Sequence, residues 1–555
     1  MKRTQWRGWS AGALCATALA FASVAPAQAQ EHRGGTIRMV AVDAGGSIDP
    51  HINYTLQYWQ LYQGLYDGLV TFKKGIGPEG FKIVPDLAED MPQIADDGKT
   101  YVFKLRKGLK FWDGRDVTVK DVVASYERLF KISSPNAGSW YNIVVGGDDC
   151  VKTPATCSLK DGVVGNEADN TITYHLTAPD SEFLDKLAVP FGVILPADAP
   201  NKDAGTVPIP GTGAYMIAAY DPNKQLKMVR NPNFKEWSKD AQPDGYPDTM
   251  IMDFGLTDEA EVTAVANGQA DWAFDPIPAD RLGEVGSKYK DQVHVTPLTA
   301  MWYAPLNVNI APFNNEKARL ALSYAVDRNA LVKLFGGKVL AQPVCQVLPP
   351  NFPGHVDYCP YTQNPGAKWS KPDMEKAKAL MKESGTAGQK VTVISEDSAV
   401  SKAVGTYLQS VLTTLGYKAE LKPISSNIQF TYIQNTNNKV QISVSQWYQD
   451  YPAASDFLYV LFSCGNYHPG SDASINISGF CDKDLDAKMQ DAMKTAVSDP
   501  KKAEAMWAEV DKGMTDKAPA VFLFTPKHVD FVSKRVGNFQ FNPQYYWMPH
   551  LSWVQ

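Results

Sequence analysis

Segment 391–421 constrains this chain more than any other. Residues 391–394 (Val-Thr-Val-Ile) read as a strand, 401–415 as a helix closed by Gly416, and 418–421 as a second strand. A strand–helix–strand unit of this kind predicts an α/β layer. Further elements surround it. Strands are expected at 35–42, 100–105, 171–176, 439–447 and 520–525, and a strand pair at 211–219 and 224–230 around Asp221-Pro-Asn223. Residues 58–69 read as an aromatic-rich helix. Residues 316–335 read as one long helix with Ala318, Leu322, Ala325 and Val332 at helical spacing. Thr118-Val-Lys-Asp121 is a capping box that opens another helix. A helix is expected at 373–384, two more at 482–515, and 150–169 reads as a loop insertion. A chain of 555 residues with no repeat and no low-complexity tract after residue 29 is long enough for several units, or fewer large ones.

The amino terminus sets the compartment. Lys2, Arg3 and Arg7 form a positive region, 11–24 is apolar, and Ala27-Gln28-Ala29 is a small-x-small cleavage site. This is a secretory signal peptide, with cleavage expected after Ala29. The apolar run is too short to span a bilayer. Leu14 before Cys15 is not the small residue that a lipoprotein site carries, so lipid anchoring is disfavoured. The expected product is a soluble exported protein. Removing Cys15 leaves six cysteines, an even number in an exported chain, for which many pairings exist. Their spacing suggests local ones: Cys150 with Cys157, Cys345 with Cys359, and Cys464 with Cys481. No C-x-x-C, H-E-x-x-H or interleaved cysteine–histidine pattern predicts a metal, and no cofactor is expected.

Charge and motifs exclude several functions. With 54 Lys and Arg against 60 Asp and Glu, no cationic excess exists to neutralise phosphates, so a nucleic-acid binder is not expected. There is no G-x-S-x-G elbow, G-x-G-x-x-G or P-loop. S-x-x-K occurs at Ser287–Lys290 and Ser498–Lys501 without its companion motifs. Asp96-Asp97 and Asp148-Asp149 sit in turn-like polar segments, where solvated loop charge is the simpler reading than acid–base catalysis. No enzyme is predicted, although a triad assembled in space leaves no local motif. Aromatic residues are abundant: 13 Trp, 25 Tyr and 23 Phe. They cluster at Tyr54, Tyr58 and Trp59, at Trp302 and Tyr303, and at Trp447, Tyr448 and Tyr451. Such side chains build small-molecule sites, and they also build ordinary cores.

Several motifs together resemble family 5 of the extracytoplasmic solute-binding proteins, the peptide- and nickel-type binding components of ABC importers. They are Pro85-Asp-Leu-Ala-Glu-Asp-Met91, then 96–114 ending Phe111-Trp-Asp-Gly114, then Lys120-Asp-Val-Val123. The match continues at Gly211-Thr-Gly-Ala-Tyr215, Arg230-Asn-Pro-Asn233 and Arg319-Leu-Ala-Leu-Ser-Tyr-Ala-Val-Asp-Arg328. It ends with Asp450-Tyr-Pro452, Asp456-Phe-Leu458 and Ala518-Pro519. The resemblance implies an α/β, two-lobed, periplasmic-binding-protein-like fold of class II, the large peptide-binding type, with an extra subdomain in lobe one. Carried over, lobe one is 30–70 and 206–298 with a return at 519–555, the inserted subdomain is 71–205, and lobe two is 299–518.

The resemblance also implies a function: a periplasmic monomer that captures a small peptide or other small solute between closing lobes and delivers it to an inner-membrane ABC permease. In peptide-binding members a buried aspartate before a D-Y-P-like turn pairs with the peptide ammonium, and here that position is Asp450. A turn aspartate preceding Tyr-Pro is the alternative reading. The same resemblance fits Cys464–Cys481 and makes Trp447, Tyr451, Trp302, Tyr303, Asn307 and Tyr54 candidate ligand-binding residues. Lys402 stands near the position of an arginine that serves the peptide carboxyl end, but a lysine lacks the bidentate fork. An oligosaccharide, opine or metal chelate in the same fold is one alternative. A secreted hydrolase is another.

Overall fold

The computed structural model describes residues 32–555 apart from Ala279, Asn351 and Ala473; the expected signal peptide, 1–29, lies outside the described residues. No helix among the described residues is long and apolar enough to cross a membrane.

Alternation builds the first sheet. Ile37 and Met39, Leu226 and Met228, and Met250 and Met252 are buried between more exposed neighbours. Their strands pair in the order Trp272–Ala273, Thr36–Ala41, Thr249–Phe254, Gln225–Arg230, Tyr215–Asp221. Thr36–Ala41 is parallel to both its neighbours, and the remaining pairs are antiparallel. The same core takes in the helix Leu56–Tyr62. This helix is shorter than the expected 58–69. Gly64 and Leu65 give their carbonyls to Tyr215 and Gly213 instead of to a further helical turn.

The segment that follows carries a second, four-stranded sheet in the order Gln93–Ala95, Thr100–Lys104, Thr171–His175, Val163–Asn166. The expected loop at 150–169 is therefore partly ordered. It contains the strand Val163–Asn166, and the Cys150–Cys157 disulfide ties the helix Gly147–Lys152 to the turn Pro154–Thr156. The helix Val119–Lys131 opens on the expected capping box, with the Thr118 amide donating to the Asp121 carboxylate at 2.7 Å.

The other large region is organised around two long antiparallel runs. Val293–Pro297 and then Ala300–Pro305 pair with the 12-residue strand Ala520–Phe531, and Ser445–Tyr448 pairs with the far side of Ala300–Pro305. Every residue of Ala300–Pro305 is buried. Trp302 and Ala304 enter one apolar cluster while Met301 and Tyr303 enter another, because successive side chains leave a strand on opposite faces. At its far end Phe531 packs with Val40, Val262 and Ala273 of the first region. These two runs are thus the covalent and hydrogen-bonded link between the two lobes.

The 391–421 unit is present as Lys390–Glu396, Ala399–Thr414 and Lys418–Ile424, with the strands parallel and Ile442–Ser443 on the other side. The helix lies close to its sheet at Gly405, where a Cβ would meet Leu421 Cδ1 at 2.6 Å and Ser395 Cβ at 3.2 Å. The expected single helix at 316–335 is two, Glu316–Ala325 and Arg328–Leu334. Val326 is extended, and Asp327 caps the second helix by accepting from Asn329 and Ala330 amides at 2.9 and 3.2 Å. An aspartate that can satisfy free amides favours a new start over continuation. Disulfides also join Cys345 to Cys359 and Cys464 to Cys481.

Candidate functional site

The site forms where strand Ser445–Tyr448 ends and the chain turns into helix Ser455–Phe462. This strand is the last in its sheet, so its outer edge has no strand partner among the described residues. The turn after it crosses to the other lobe: Tyr451 and Ala453 pack against the core of the first region. The turn is pinned from that side as well. Gln544 Nε2 donates to the Asp450 carbonyl, and Gln449 Nε2 donates to Gln544 Oε1 at 2.9 Å.

Asp450 is 5% exposed. Its Oδ2 accepts from the Tyr54 hydroxyl, a contact across 396 positions of sequence. Its amide donates to Asp456 Oδ2 at 2.9 Å, and Asp456 is fully buried. Among the described residues no Lys, Arg or His makes an ion pair with either carboxyl. Burial, only partly offset by hydrogen bonds involving Tyr54 and Asp456, pushes Asp450 up to about 7. Burial, and then the Asp450 charge, push Asp456 well above the carboxylate range. A charged carboxylate without a cation is unfavourable in such a place.

Aromatic rings surround the Tyr54 phenol that donates to this acid. Tyr54 lies 5.4 Å from Trp59, 5.2 Å from Phe191, and 6.4 Å from both Trp140 and Trp447, centroid to centroid. Tyr451 packs edge-on against Trp140 at 5.7 Å. A buried carboxylate beside an aromatic cluster is chemistry that can hold an organic ammonium. A second contact crosses the seam nearby. The Ser455 hydroxyl donates to Glu182 Oε2, and Tyr451 Oη and Ser455 Oγ are 3.4 Å apart. Burial pushes Glu182 up to about 7 against the pull of Lys186.

Of the residues singled out in the sequence, Asp450, Tyr54, Trp447 and Tyr451 come together here. Trp302 and Tyr303 do not. Trp302 stacks on Phe524 at 5.4 Å inside lobe two, and Tyr303 is buried 6.5 Å from Phe462. Asn307 is committed to its own backbone surroundings: Nδ2 donates to the Val440 carbonyl at 3.1 Å, and Oδ1 accepts from the Asn309 amide at 3.0 Å. Lys402 is exposed on the helix Ala399–Thr414. The end of the strand before that helix does approach the site strand, where Gln446 Nε2 donates to Glu396 Oε1 at 3.0 Å. Sequence reasoning missed Asp456, Trp140, Phe191, Glu182 and Gln544. Only Asp456 had a local signal, as the acid of the Asp456-Phe-Leu458 motif.

Known proteins share this arrangement of lobes. The description "bacterial extracellular solute-binding proteins, family 5, middle" matches residues 82–469. The glutathione-binding protein GsiB of Salmonella paratyphi A is 26% identical over 510 residues, covering 90% of each chain. The dipeptide-binding protein of Escherichia coli is 28% identical over 510 residues, covering 86% of this chain and 87% of its own. Among solved structures, clavulanic acid biosynthesis oligopeptide binding protein 2 superposes with a TM-score of 0.83 at 22% identity, over 94% of this chain and 96% of its own. With the family match spanning most of the sequence and the two-lobed fold in place, the chain belongs to family 5 of the bacterial extracellular solute-binding proteins.

Proposed function

We propose that this protein captures small peptides by their free amino terminus and presents them to an inner-membrane ABC permease. The observation that carries this reading is Asp450: a buried carboxyl, bonded to a tyrosine that packs in an aromatic cluster, for which the described residues supply no cation. The ligand ammonium supplies it. The unpaired edge of Ser445–Tyr448 offers main-chain groups to an extended peptide, as in strand addition. Tyr54 and Trp447 form the walls of the ammonium subsite, and Tyr451 supports them from behind.

The paired runs Val293–Pro305 and Ala520–Phe531 serve as the hinge, with lobe limits near 299 and 518 and the 71–205 subdomain closing the lobe-one side. Tyr54 and Glu182 stand on one side of the seam, and Asp450 and Ser455 on the other. The protein works in the periplasm as a monomer, after cleavage near Ala29, without a cofactor and without altering its ligand. The glutathione-binding name of several relatives makes glutathione, a peptide with a free ammonium, the first compound to try beside trialanine.

The test is calorimetric titration of wild type and Asp450→Asn with glutathione, trialanine and N-acetyl-trialanine. Losing one partner of a desolvated ion pair costs about 2–5 kcal/mol, or roughly 30- to 5,000-fold in affinity. Acetylation should weaken wild-type binding by that order and the variant's far less. Equal wild-type binding of trialanine and its acetyl derivative would remove the amine from the recognition scheme. Return of cleaved peptide after incubation would point instead to an enzyme.

A further inference from the structure

The open edge of the site strand begins where two parallel strands part. Lys390–Glu396 lies between Lys418–Ile424 on one side and Ile442–Ser443 on the other. The chain thus leaves this small sheet on one flank and returns on the other, and open α/β sheets bind ligands in the crevice at the carboxyl ends of such strands. Ile394 stands opposite Ser443, and the Val444 amide donates to the Ile394 carbonyl at 2.8 Å. No later main-chain bond joins the two runs among the described residues. From Ser445 onward the site strand is held only on its other side, by Ala300–Tyr303. One side chain bridges the gap that opens: Glu396 Oε1 accepts from Gln446 Nε2 at 3.0 Å.

Glu396 is 9% exposed. Its Oε2 lies 3.5 Å from the Ser398 hydroxyl, and its amide donates to Ser401 Oγ at 3.1 Å, which fixes it at the start of helix Ala399–Thr414. The amino end of a 16-residue helix favours a negative charge there. Among the described residues no Lys, Arg or His forms an ion pair with Glu396. Gln446 Oε1, the other acceptor at this corner, is sealed from solvent and makes no hydrogen bond. Asp397 differs from its neighbour: it is exposed, and its Oδ1 accepts from the Ser426 amide at 3.3 Å. Four residues separate Gln446 from Asp450, about 13 Å at strand rise. An extended peptide advances at nearly the same rate per residue. With its ammonium at Asp450 and its chain running back along the open edge, it brings a long side chain of its second or third residue to this corner. Resting on the peptide reading of the cleft, we propose that Glu396, with Gln446 Oε1 beside it, is a second cation subsite that receives a lysine or arginine side chain at the second or third residue of the bound peptide. The same charge rejects an acidic side chain at that place.

Calorimetric affinities for trialanine, Ala-Lys-Ala, Ala-Ala-Lys, Ala-Glu-Ala and Ala-Ala-Glu test this in wild type, Glu396→Gln, Glu396→Lys and Asp397→Asn. Wild type should prefer the lysine peptide to its glutamate counterpart by about tenfold or more at one of the two positions. Glu396→Gln, which keeps the shape and removes the charge, should bring that ratio to within about threefold of unity, and Glu396→Lys should invert it. Asp397→Asn removes an equal charge one residue away in solvent and should leave the ratio as in wild type. A fall in Asp397→Asn as large as in Glu396→Gln would trace the preference to the general field of the protein and overturn the subsite. A purely structural Glu396 would weaken all five peptides together in Glu396→Gln with the ratio unchanged, which overturns it as well. Should Glu396→Lys fail to fold, the ratio in Glu396→Gln decides. If wild type binds trialanine but holds lysine and glutamate peptides alike, this subsite falls and the peptide reading stands. If wild type binds none of the five, the peptide reading falls and the subsite with it.

Discussion

Two buried acids, both held in the interior, divide this molecule. Asp49 is fully buried, and the protein supplies its cation: Arg128 Nη1 and Nη2 donate to its two oxygens at 3.0 and 2.5 Å. The same guanidinium also donates to the carbonyls of Pro200 and Lys202 at 2.8 and 3.1 Å. Burial works against the Asp49 charge, but the hydrogen bonds and charge of Arg128 outweigh it and hold the carboxyl below the usual range. Asp450 is buried nearly as well and has a phenol, a neighbouring acid and no cation. The first arrangement is complete and fastens the inserted segment to the loop at 49–53. The second is incomplete within the protein, and the proposed function takes that incompleteness as a place for the ligand's cation.

The comparison can be broken most forcefully at the completed pair. Arg128→Met leaves Asp49 buried and unpaired, which should cost about 3–5 kcal/mol of stability. Denaturant melts at pH 7 would read this as a lowered midpoint with little change in slope. The folded fraction should bind trialanine as wild type does, within about threefold. Adding Asp49→Leu to Arg128→Met should recover part of the loss, because an apolar pair needs no solvation. Asp450→Asn should do the opposite: a large loss of affinity with no loss of stability. If Arg128→Met proved neutral, the distinction drawn between the two acids would fail.

The pH dependence of the two acids should run in opposite directions. Asp49 is held low in the fold, so its contribution is present above the unfolded carboxylate value and is lost as pH falls through the folded one. Asp450 is raised to about 7, so its ionisation in the fold is a cost that grows as pH rises from about 4 to about 7 and then levels off. Asp450→Asn should therefore melt higher than wild type at pH 8, and the two should converge near pH 4. On the proposed ammonium reading, ligand binding requires the ionised form. Affinity for a free-amine peptide should fall about tenfold per pH unit below about 7, with release of a proton visible in calorimetry across buffers. A flat affinity between pH 5 and 7 would mean that Asp450 is already ionised in the free protein.

Parts of this division were legible in the sequence. The Asp450-Tyr-Pro452 motif singled out the acid on which the proposed function rests, and the 391–421 pattern yields its three elements within a few residues. What makes Asp450 distinctive is an absence among its neighbours, and those neighbours are Tyr54, Trp140, Phe191, Glu182 and Gln544, far away along the chain. No local pattern reports that. Trp302 and Tyr303 stand apart from the Asp450 cluster for a geometric reason: a strand covered on both faces buries both members of an adjacent aromatic pair, whereas Trp447 and Tyr451 lie on the last strand of the same sheet and in the turn after it. The break at Asp327 failed because apolar spacing continues across a residue that favours capping over helix interior.

A smaller effect belongs to the phenol that joins the lobes. Tyr54→Phe keeps the ring among Trp59, Phe191 and Trp447 and removes the donor to Asp450. A hydrogen bond to a charged group contributes about 1.5–3 kcal/mol. The expected loss for trialanine is therefore roughly tenfold to 150-fold, less than that of Asp450→Asn at its upper end. It should be larger at pH 6, where the free protein holds Asp450 protonated and the bond to a charged carboxylate is gained only on binding, than at pH 8, where free and bound forms both have it. An equal loss at both values would mean that the hydroxyl acts through packing.

The smallest effect is expected at Lys402. If it served the peptide carboxyl end, it would be the counterpart of Asp450, one charge for each terminus. The two positions differ physically. Asp450 is desolvated among rings, while Lys402 is exposed on the helix Ala399–Thr414, and its flexible ammonium keeps its water. An exposed ion pair contributes about 0–1 kcal/mol and is screened by salt. Lys402→Ala should thus change trialanine affinity by less than about fivefold, and added salt should erase the difference. Trialanine amide, which lacks the carboxylate, should bind wild type and Lys402→Ala alike. If amidation weakened wild type by more than about tenfold and left Lys402→Ala untouched, Lys402 would read the carboxyl end after all. Closure of the lobes would then have to bring it out of solvent, and the contrast between a buried, specific amino-terminal subsite and an open carboxyl-terminal one would give way to recognition at both ends.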